Sequence, residues 1–298
     1  MTSRAGGTIV VNPFRSGELI LVVDRKGRHH LVRLKPGGEF HYHDGVIAHD
    51  DLIGHDEGVQ VLTRLGRPAR AFRPRMQDYL LQMPRASAVV YPKDVAFVLM
   101  WGDIFPGAHV FEAGVGSGGV AIALLRAIGP TGTLVTYDRR ADMMAHAAKN
   151  AEVFLGETPN WIMRQRDVAE GITDDGPFDR IVFDLPDPGA VASVAADALV
   201  PGGVVIWFVP NVTQIRDSAE AYTASGTFAE IETYETIFRP WDFNGPTARP
   251  ARRMIGHTGF IGVARKRAPD EADPALPEPE PIDGAEDIDD DLGDAERE

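Results

Sequence analysis

The feature that most constrains the fold of this chain is a glycine-rich turn between an apolar strand and an apolar helix. Residues 109–113 favour a strand, and residues 120–128 favour a helix that begins directly after the turn. Glycine lets the backbone turn with positive φ and lets a ligand approach the main chain. The free N–H groups at the start of a helix then face that ligand. We therefore predict a ligand-binding loop made of Gly114, Gly116, Ser117, Gly118, Gly119 and Val120.

The residues around this turn separate two classes of cofactor. Gly114, Gly116 and Gly119 fit the dinucleotide pattern G-x-G-x-x-G, which by itself leaves an NAD-dependent oxidoreductase open. Glu112 stands two positions before the first glycine. An acid at that position is typical of enzymes that bind S-adenosylmethionine, a ligand with ammonium and sulfonium charges instead of a pyrophosphate. We therefore favour S-adenosylmethionine, with Glu112 as a cofactor-binding residue.

The alternation of strands and helices after the turn predicts an open, mostly parallel α/β sheet of Rossmann-like type. Three strands are predicted near residues 134–137, 178–183 and 204–209, with helices between them and over residues 212–225, and two closing strands near residues 230–238 and 259–266. Residues 1–75 favour a small β-rich domain, with strands near residues 18–23, 29–34, 39–43 and 58–62. Residues 76–106 add linking helices to the main domain, which extends over residues 76–267.

The acidic character of the chain is concentrated at its C-terminus. The net charge is −14 over 298 residues, but residues 268–298 hold fourteen acids and one base, so this tail alone carries −13. Its Pro-, Asp- and Glu-rich composition predicts disorder. The near-neutral body is therefore compatible with a polyanionic partner.

The composition also limits the cellular setting. Cysteine is absent, which excludes disulfides and thiolate metal sites. No apolar run is long enough for a membrane span, and the first residues do not resemble a signal peptide. We therefore expect a cytoplasmic protein with no membrane partner.

Three further acids fall at or just after predicted strand ends, where ligands bind in such sheets. Asp138 follows Gly114 by 24 residues, a spacing suited to gripping a ribose diol. Asp167 is placed to accept a hydrogen bond from an adenine amine. Met143 would either pack against the adenine of the cofactor or belong to the ordinary core. Asp184 precedes a proline-stiffened loop, which suits a carboxylate that must contact both cofactor and substrate.

Histidines and arginines elsewhere give weaker signals. His41 and His43 have period-2 spacing, with His49 and His55 downstream, but no acidic or Cys ligand pattern frames them, so we favour structural or surface roles over a metal site. Two basic stretches are either solvated loops or contacts for RNA phosphates. They contain Arg64, Arg67, Arg70, Arg73 and Arg75 in the first and Arg239, Arg249, Arg252 and Arg253 in the second.

Several motifs together resemble a known family. The glycine loop, Tyr91-Pro92-Lys93-Asp94, Asp184-Leu185-Pro186 and Gly256-His257-Thr258-Gly259-Phe260 look like those of bacterial tRNA (adenine(58)-N(1))-methyltransferases of actinobacterial type. The likeness extends to about residue 267. It implies a class I methyltransferase fold behind a small β domain, a homotetramer, and an adenine of the tRNA T-loop as the target.

The resemblance also implies roles for individual residues. Asp184 would accept from N6–H of the target adenine while N1 takes the methyl group, and Tyr91 would stack on the flipped base or pack at the domain junction. The chain departs from the family where Asp138 replaces a glutamate and Gly189 replaces a tryptophan. No metal is implied.

Three alternatives stay open on the sequence alone. A methyltransferase for protein or small molecules would keep the glycine loop but would not need the arginine-rich stretches. An NAD-dependent oxidoreductase would leave Glu112 and the Asp184-Leu185-Pro186 loop unexplained. An RNA-binding scaffold with a vestigial pocket would not depend on Asp184.

Overall fold

The N-terminal part of the chain folds into short antiparallel strands, as its alternating sequence predicts. The computed structural model describes residues 12–172 and 175–269. Its first six strands are β1 (Leu19–Asp24), β2 (His29–Arg33), β3 (Glu39–Tyr42), β4 (Gly45–Ala48), β5 (Gln60–Leu62) and β6 (Pro68–Phe72). Four of them form a sheet in the order β2-β1-β6-β5, and β3 pairs with β4. Their apolar faces enclose a separate hydrophobic cluster that includes Phe14, Ile20, Leu34, Ile47 and Leu52.

The sequence does not predict β4 and β6. The buried face of β6 consists of Ala69 and Ala71, which alternate with exposed Pro68 and Arg70. Alanine gives little hydrophobic signal, so the alternation is hidden within the arginine-rich stretch. The strand forms because β1 and β5 pair with it on both sides.

The rest of the chain supplies a large sheet and the helices that cover it. The helices are α1 (Met76–Gln82), α2 (Pro92–Trp101), α3 (Gly119–Ile128), α4 (Ala141–Leu155), α5 (Ala192–Ala198) and α6 (Val212–Ala224). The strands are β7 (His109–Ala113), β8 (Thr133–Asp138), β9 (Trp161–Gln165), β10 (Phe178–Phe183), β11 (Leu199–Val209), β12 (Phe228–Tyr234), β13 (Trp241–Asn244), β14 (Thr247–Pro250) and β15 (Phe260–Lys266).

The large sheet has seven strands in the order β12-β15-β11-β10-β7-β8-β9. Strands β7 to β11 are parallel, and β15 runs antiparallel between β11 and β12. Residues of α1 to α4 pack in one hydrophobic cluster and residues of α5 and α6 in another, so both faces of the sheet are covered. The strand order reverses between β7 and β10, which is where such sheets bind ligands.

The segment between β12 and β15 differs from the prediction. β12 ends at Tyr234, and the loop expected after it contains the hairpin β13–β14, all of whose residues are exposed. Trp241 and Phe243 alternate with Asp242 and Asn244 in β13, but this pattern covers only four residues and β14 does not continue it, so the sequence does not predict the hairpin. We call residues 237–257 the arm.

Two expectations concern the chain as a whole. The disordered tail predicted for residues 268–298 lies outside the described residues except for its first two positions, and the domain boundary near residue 75 stays a prediction. Among the helices that the structure describes, none is both long and apolar enough to cross a bilayer.

Candidate active site

The glycine loop takes the backbone conformation that its sequence predicts. Gly114, Gly116 and Gly118 have φ of 89°, 48° and 85°, a region that favours glycine. A Cβ on Gly114 would lie 2.1 Å from the carbonyl oxygen of Asp184, so only glycine lets the end of β7 approach the end of β10 this closely. The loop therefore brings the first predicted glycine and the predicted catalytic acid together.

A cavity of about 600 Å³ opens at the carboxyl ends of β7, β8, β9 and β10. The structure brings six residues predicted from the sequence to its wall, namely Gly114, Gly116, Asp138, Met143, Asp167 and Asp184. Sequence reasoning missed other wall residues, among them Ser87, Ala88, Val168, Ala169 and Leu185. The site therefore lies where the strand order predicts it.

Asp138 links the end of β8 to the glycine loop. Its Oδ2 accepts a hydrogen bond from the backbone N–H of Val115 at 3.0 Å, and its Oδ1 accepts from the N–H of Arg140 at 2.8 Å. Each carboxylate oxygen keeps acceptor capacity for a further donor. The side chain is thus fixed in orientation and still able to receive the two hydroxyls of a ribose.

Asp167 combines a structural role with an open one. Its Oδ1 accepts from the N–H of Ala169 at 3.0 Å and caps the short 3₁₀ helix Val168–Glu170. Its Oδ2 lies 3.6 Å from a guanidinium nitrogen of Arg139, and both side chains are partly exposed. The helix cap therefore positions an acceptor at the mouth of the cavity.

Asp184 is the acid of the cavity wall whose carboxylate has the fewest hydrogen-bond partners. Its backbone N–H donates to the carbonyl of Ala113 at 3.0 Å, which continues the pairing of β10 with β7. Its carboxylate is half-buried and receives no hydrogen bond from any residue in the described part of the chain. Burial raises the pKa of this carboxyl to about 6. An acid held in this way is available to a donor on a ligand.

Glu112 does not line the cavity, although the sequence predicts that it binds the cofactor. It is buried within the sheet at 1% exposure, directly before the loop. Its Oε2 accepts from the Thr136 hydroxyl at 2.8 Å, whereas Oε1 is buried with no hydrogen-bond partner in the described structure. Burial raises the pKa of Glu112 to about 8.

The second half of the glycine loop supports the wall and does not form it. The Ser117 hydroxyl accepts from the backbone N–H groups of Ala86 and Ser87 at 3.0 and 3.2 Å, and Asn150 donates to the Ser117 carbonyl. The direct contact predicted for the remaining loop residues is therefore not seen in the cavity wall, which omits Ser117, Gly118, Gly119 and Val120. The segment that they hold, residues 86–88, lies about thirty positions upstream, where no sequence signal marks it.

Tyr91 lies in a second cavity, apart from Asp184. This cavity of about 680 Å³ is mainly apolar and is lined by α1, the start of α2 and both ends of the arm. Its wall includes Leu80, Tyr91, Ile237 and Ile255. The structure therefore does not bring the two predicted catalytic residues to one cavity wall, and the stacking role of Tyr91 stays a prediction.

Two motifs noted in the sequence meet at the base of the arm. The fully buried Asp94 accepts from the hydroxyls of Thr236 at 2.5 Å and Thr258 at 2.6 Å, and the Lys93 ammonium lies 2.8 Å from the same carboxylate. Beside them, His257 Nδ1 lies 2.7 Å from Glu235 Oε1. We call the group Lys93, Asp94, Thr236 and Thr258 the clasp. It joins the start of α2 to both ends of the arm.

His43 has two acidic neighbours, Asp44, which follows it in the sequence, and Asp24, which the sequence does not place beside it. Its Nε2 lies 3.5 Å from Asp24 Oδ2 and 3.3 Å from Asp44 Oδ2, a grouping able to hold a metal ion. Arg28 and Arg25 also contact these two carboxylates, at 2.7 and 3.2 Å, and balance their charge. A cation is therefore not required there. The buried His49 accepts the N–H of Lys35 at 2.9 Å, in keeping with a structural role.

The residues of the main cavity fit S-adenosylmethionine. Asp138 suits a ribose, and Met143 and Asp167 suit a purine with an exocyclic amine. The buried Glu112 Oε1 lacks a partner close to the loop, which suits a ligand with a cationic end. A Cβ on Gly116 would lie 2.8 Å from the Ser87 hydroxyl, so glycine lets the loop approach residues 86–88 at the cavity wall.

Comparisons with known proteins agree with this geometry. Residues 74–247 match the family described as "tRNA methyltransferase complex GCD14 subunit", and residues 13–61 match the family "TrmI-like N-terminal". The tRNA (adenine(58)-N(1))-methyltransferase TrmI of Thermus thermophilus is 34% identical over 83% of this chain and 96% of the relative. The tRNA (adenine(57)-N(1)/adenine(58)-N(1))-methyltransferase TrmI of Methanocaldococcus jannaschii is 34% identical over 82% of this chain and 94% of the relative.

Solved structures share the fold. A SAM-dependent O-methyltransferase from Thermotoga maritima aligns with a TM-score of 0.82 at 27% identity, over 87% of this chain and 96% of that one. The tRNA (m1A58) methyltransferase TrmI from Aquifex aeolicus aligns with a TM-score of 0.76 at 23% identity, over 86% of this chain and all of that one. These likenesses and the observed strand order confirm the predicted Rossmann-like fold with a small N-terminal β part.

Proposed function

We infer the activity of this chain from its family, because it belongs to the GCD14 family of tRNA methyltransferases. It is an S-adenosylmethionine-dependent enzyme that methylates N1 of adenine 58 in tRNA. The NAD-dependent alternative loses its support, since the relatives are methyltransferases. The actinobacterial qualifier stays a prediction, since the relatives compared are from Thermus and Methanocaldococcus.

The half-buried Asp184 carboxylate carries the proposal for the catalytic group. Bound S-adenosylmethionine supplies an electrophilic methyl group on its sulfonium. Methylation at N1 makes the adenine ring cationic and spreads that charge onto N6. Asp184, held at the end of β10 beside the glycine loop, accepts from N6–H and stabilises the charge where it develops. The same hydrogen bond fixes N1 in line with the methyl group.

The other acids and Met143 hold the cofactor in this proposal. Asp138 accepts from the ribose hydroxyls, and Asp167 accepts from the adenine amine of the cofactor. Met143 lies buried in the same wall and packs on the purine. Their positions at the ends of β8 and β9 and at the start of α4 support these roles.

We propose that the arm, and not the N-terminal arginine stretch, supplies the cations that contact tRNA phosphates. In the N-terminal stretch, three of the five arginines, Arg64, Arg73 and Arg75, are already paired with acids. The four arginines of the arm are exposed, and none forms an ion pair with a residue in the described ranges, namely Arg239, Arg249, Arg252 and Arg253. Exposed, unpaired guanidinium groups are the residues best suited to phosphates.

We further propose a homotetramer in the cytoplasm. The arm exposes large apolar side chains, which a folded surface usually covers by association. They are Ile237, Phe238, Trp241, Phe243 and Ile255. Light scattering of the purified full-length chain tests this, and a monomer at micromolar concentration would contradict it.

Methyl transfer from labelled S-adenosylmethionine to unmodified tRNA tests the activity. We expect 1-methyladenosine at position 58, identified by nuclease digestion and mass spectrometry. A tRNA with adenine 58 replaced is the matched control and should accept no label there. Transfer to another nucleoside, or none, would contradict the proposed function.

A further inference from the structure

One oxygen of the buried Glu112 carboxyl group has a hydrogen-bond partner, and the other oxygen has none within the described structure. Oε2 accepts from the Thr136 hydroxyl at 2.8 Å, and Oε1 has no partner within the described structure. The side chain is 1% exposed, and it stands two residues before Gly114 of the cavity wall. A buried carboxylate with an unsatisfied oxygen is costly, so its protonation state requires an explanation.

A hydrogen-bond relay determines which oxygen of Glu112 is protonated in the neutral acid. The indole N–H of Trp161 donates to the Thr136 hydroxyl oxygen at 2.8 Å. An indole nitrogen only donates, so Thr136 accepts from it and directs its own hydrogen to Glu112 Oε2. Oε2 is therefore an acceptor, and the proton of the neutral acid resides on Oε1, the oxygen without a partner.

Among the described residues, no cation acts on the Glu112 carboxyl to balance a negative charge. On the neighbouring strands the titratable groups that act on it are Asp138 and Asp184, both acidic. Helix α3 presents only apolar residues and glycine as its buried face. On α4 the buried polar residue is Asn150, whose amide donates to the carbonyls of Ser117 and Pro84.

The charged side chains of the two helices lie elsewhere. Asp142, Lys149 and Glu152 of α4 and Arg126 of α3 are exposed, and His146 contacts the Pro84 carbonyl. Burial, with repulsion from Asp184 and Asp138, raises the pKa of Glu112 to about 8 although the Thr136 hydrogen bond lowers it. The carboxyl is therefore neutral in the free protein at neutral pH.

We propose that Glu112 holds a proton on Oε1 in the free enzyme and releases it to solvent when S-adenosylmethionine binds. The O–H bond breaks, its electron pair stays on the carboxylate, and the cationic end of the ligand balances the new charge. The fixed Thr136 hydroxyl stabilises the ionised form at Oε2. The inference rests on the proposed function, and it makes Thr136 and Trp161 positioning residues for cofactor binding.

Calorimetric titration of the full-length chain with S-adenosylmethionine at pH 6.5, in two buffers of different ionisation enthalpy, counts the protons released. This pH is below the range in which the α-amino group of the ligand titrates. We expect the unmodified protein to release close to one proton more than Glu112→Gln, which mimics the neutral acid. Glu152→Gln, the same change at an exposed glutamate, should release as many protons as the unmodified protein.

Affinity gives a second, independent measurement. Because the ligand binds the ionised form, its affinity for the unmodified protein should rise about tenfold more from pH 6 to pH 7 than its affinity for Glu112→Gln. Equal proton release by the two proteins, or equal pH slopes, would overturn the inference and leave the proposed function intact. Failure of the unmodified protein to bind S-adenosylmethionine would overturn the proposed function instead.

Discussion

Asp24 of the N-terminal sheet is buried, and Asp184 at the carboxyl end of β10 is half-buried. The two carboxylates nevertheless differ in their hydrogen bonding. Asp24 accepts from the backbone N–H groups of Lys26 and Arg28 and from the Arg28 guanidinium. Burial alone would raise its pKa, but these bonds outweigh burial and hold the pKa well below its usual range. Asp184 has no such partner, and burial raises its pKa to about 6.

The comparison shows how one residue type serves two purposes. A carboxylate whose lone pairs are filled by the protein stabilises the fold and has little left for a ligand. A carboxylate without hydrogen-bond donors from the protein lowers the stability of the fold and can accept from a donor on the substrate. Differences between matched variants of the two residues test this distinction.

The largest expected effect is on catalysis at Asp184. Asp184→Asn replaces the carboxylate with a neutral amide, a weaker acceptor without the charge that opposes the cationic ring, so kcat should fall by about 10²–10³-fold. Asp24→Asn should keep kcat within about twofold when assayed below its unfolding temperature, because Asp24 lies outside the cavity. Single-turnover methylation of tRNA measures both. Unchanged turnover in Asp184→Asn would refute the catalytic role of Asp184.

The next effect is on stability at Asp24. Asp24→Asn removes charge-assisted hydrogen bonds and leaves Arg28 with only the Asp44 carboxylate, 3.9 Å away, which should cost about 2 kcal/mol of unfolding free energy at pH 7. Since the pKa of Asp24 is lowered in the folded state, its stabilisation is present above an unfolded value of about 4 and is lost as pH falls below it. Urea unfolding at pH 7 and pH 4 measures the difference, which should narrow at the lower pH.

Asp184→Asn should show the opposite sign in the same unfolding experiment. The pKa of Asp184 is raised in the folded state, so its ionised form costs stability as pH rises from about 4 through about 6. The variant should therefore be more stable than the unmodified protein by about 1–2 kcal/mol at pH 7. Below pH 4 the gain should vanish. A variant less stable than the unmodified protein at pH 7 would contradict the inference that the Asp184 carboxylate lacks hydrogen-bond donors.

The smallest effect applies the same comparison to arginines. Arg252 of the arm has no ion-pair partner among the described residues, whereas Arg75 is bound to the buried Asp78. Arg252→Ala should raise the KM for tRNA by about two- to fivefold and lower its salt dependence, because one phosphate contact is lost. Arg75→Ala should leave that KM unchanged. The reverse result would assign the tRNA contact to the N-terminal stretch.

The sequence predicts the parts of this molecule whose signals are local. The glycine loop, the apolar strands beside it and the acids at the strand ends lie where their spacing indicates, because a parallel sheet brings strand ends to one edge. Most of the site residues predicted from strand ends line the cavity. Glu112 is the exception, because its side chain is buried and bound to Thr136 of the neighbouring strand β8 and does not line the cavity.

The features that the sequence does not predict depend on distant contacts. Residues 86–88 join the cavity wall because the Ser117 hydroxyl holds that segment and Asn150 holds Pro84 just before it, and these contacts join residues far apart in the sequence. Of the two acids beside His43, Asp44 is its neighbour in sequence, but Asp24 comes from the distant end of β1. The family resemblance implies catalytic roles for both Tyr91 and Asp184. A motif resemblance carries no information on which cavity each residue lines.

Because of the clasp, the geometry of the sheet does not depend on the length of the arm. Thr236 and Thr258 bind one carboxylate, so the chain leaves the sheet and returns to it at the same point, with both ends fixed to α2. Closing a loop whose ends are already together costs only slightly more when residues are added. The arm is therefore a place where insertions, deletions or an exchanged segment can alter what the enzyme contacts while the catalytic edge keeps its shape.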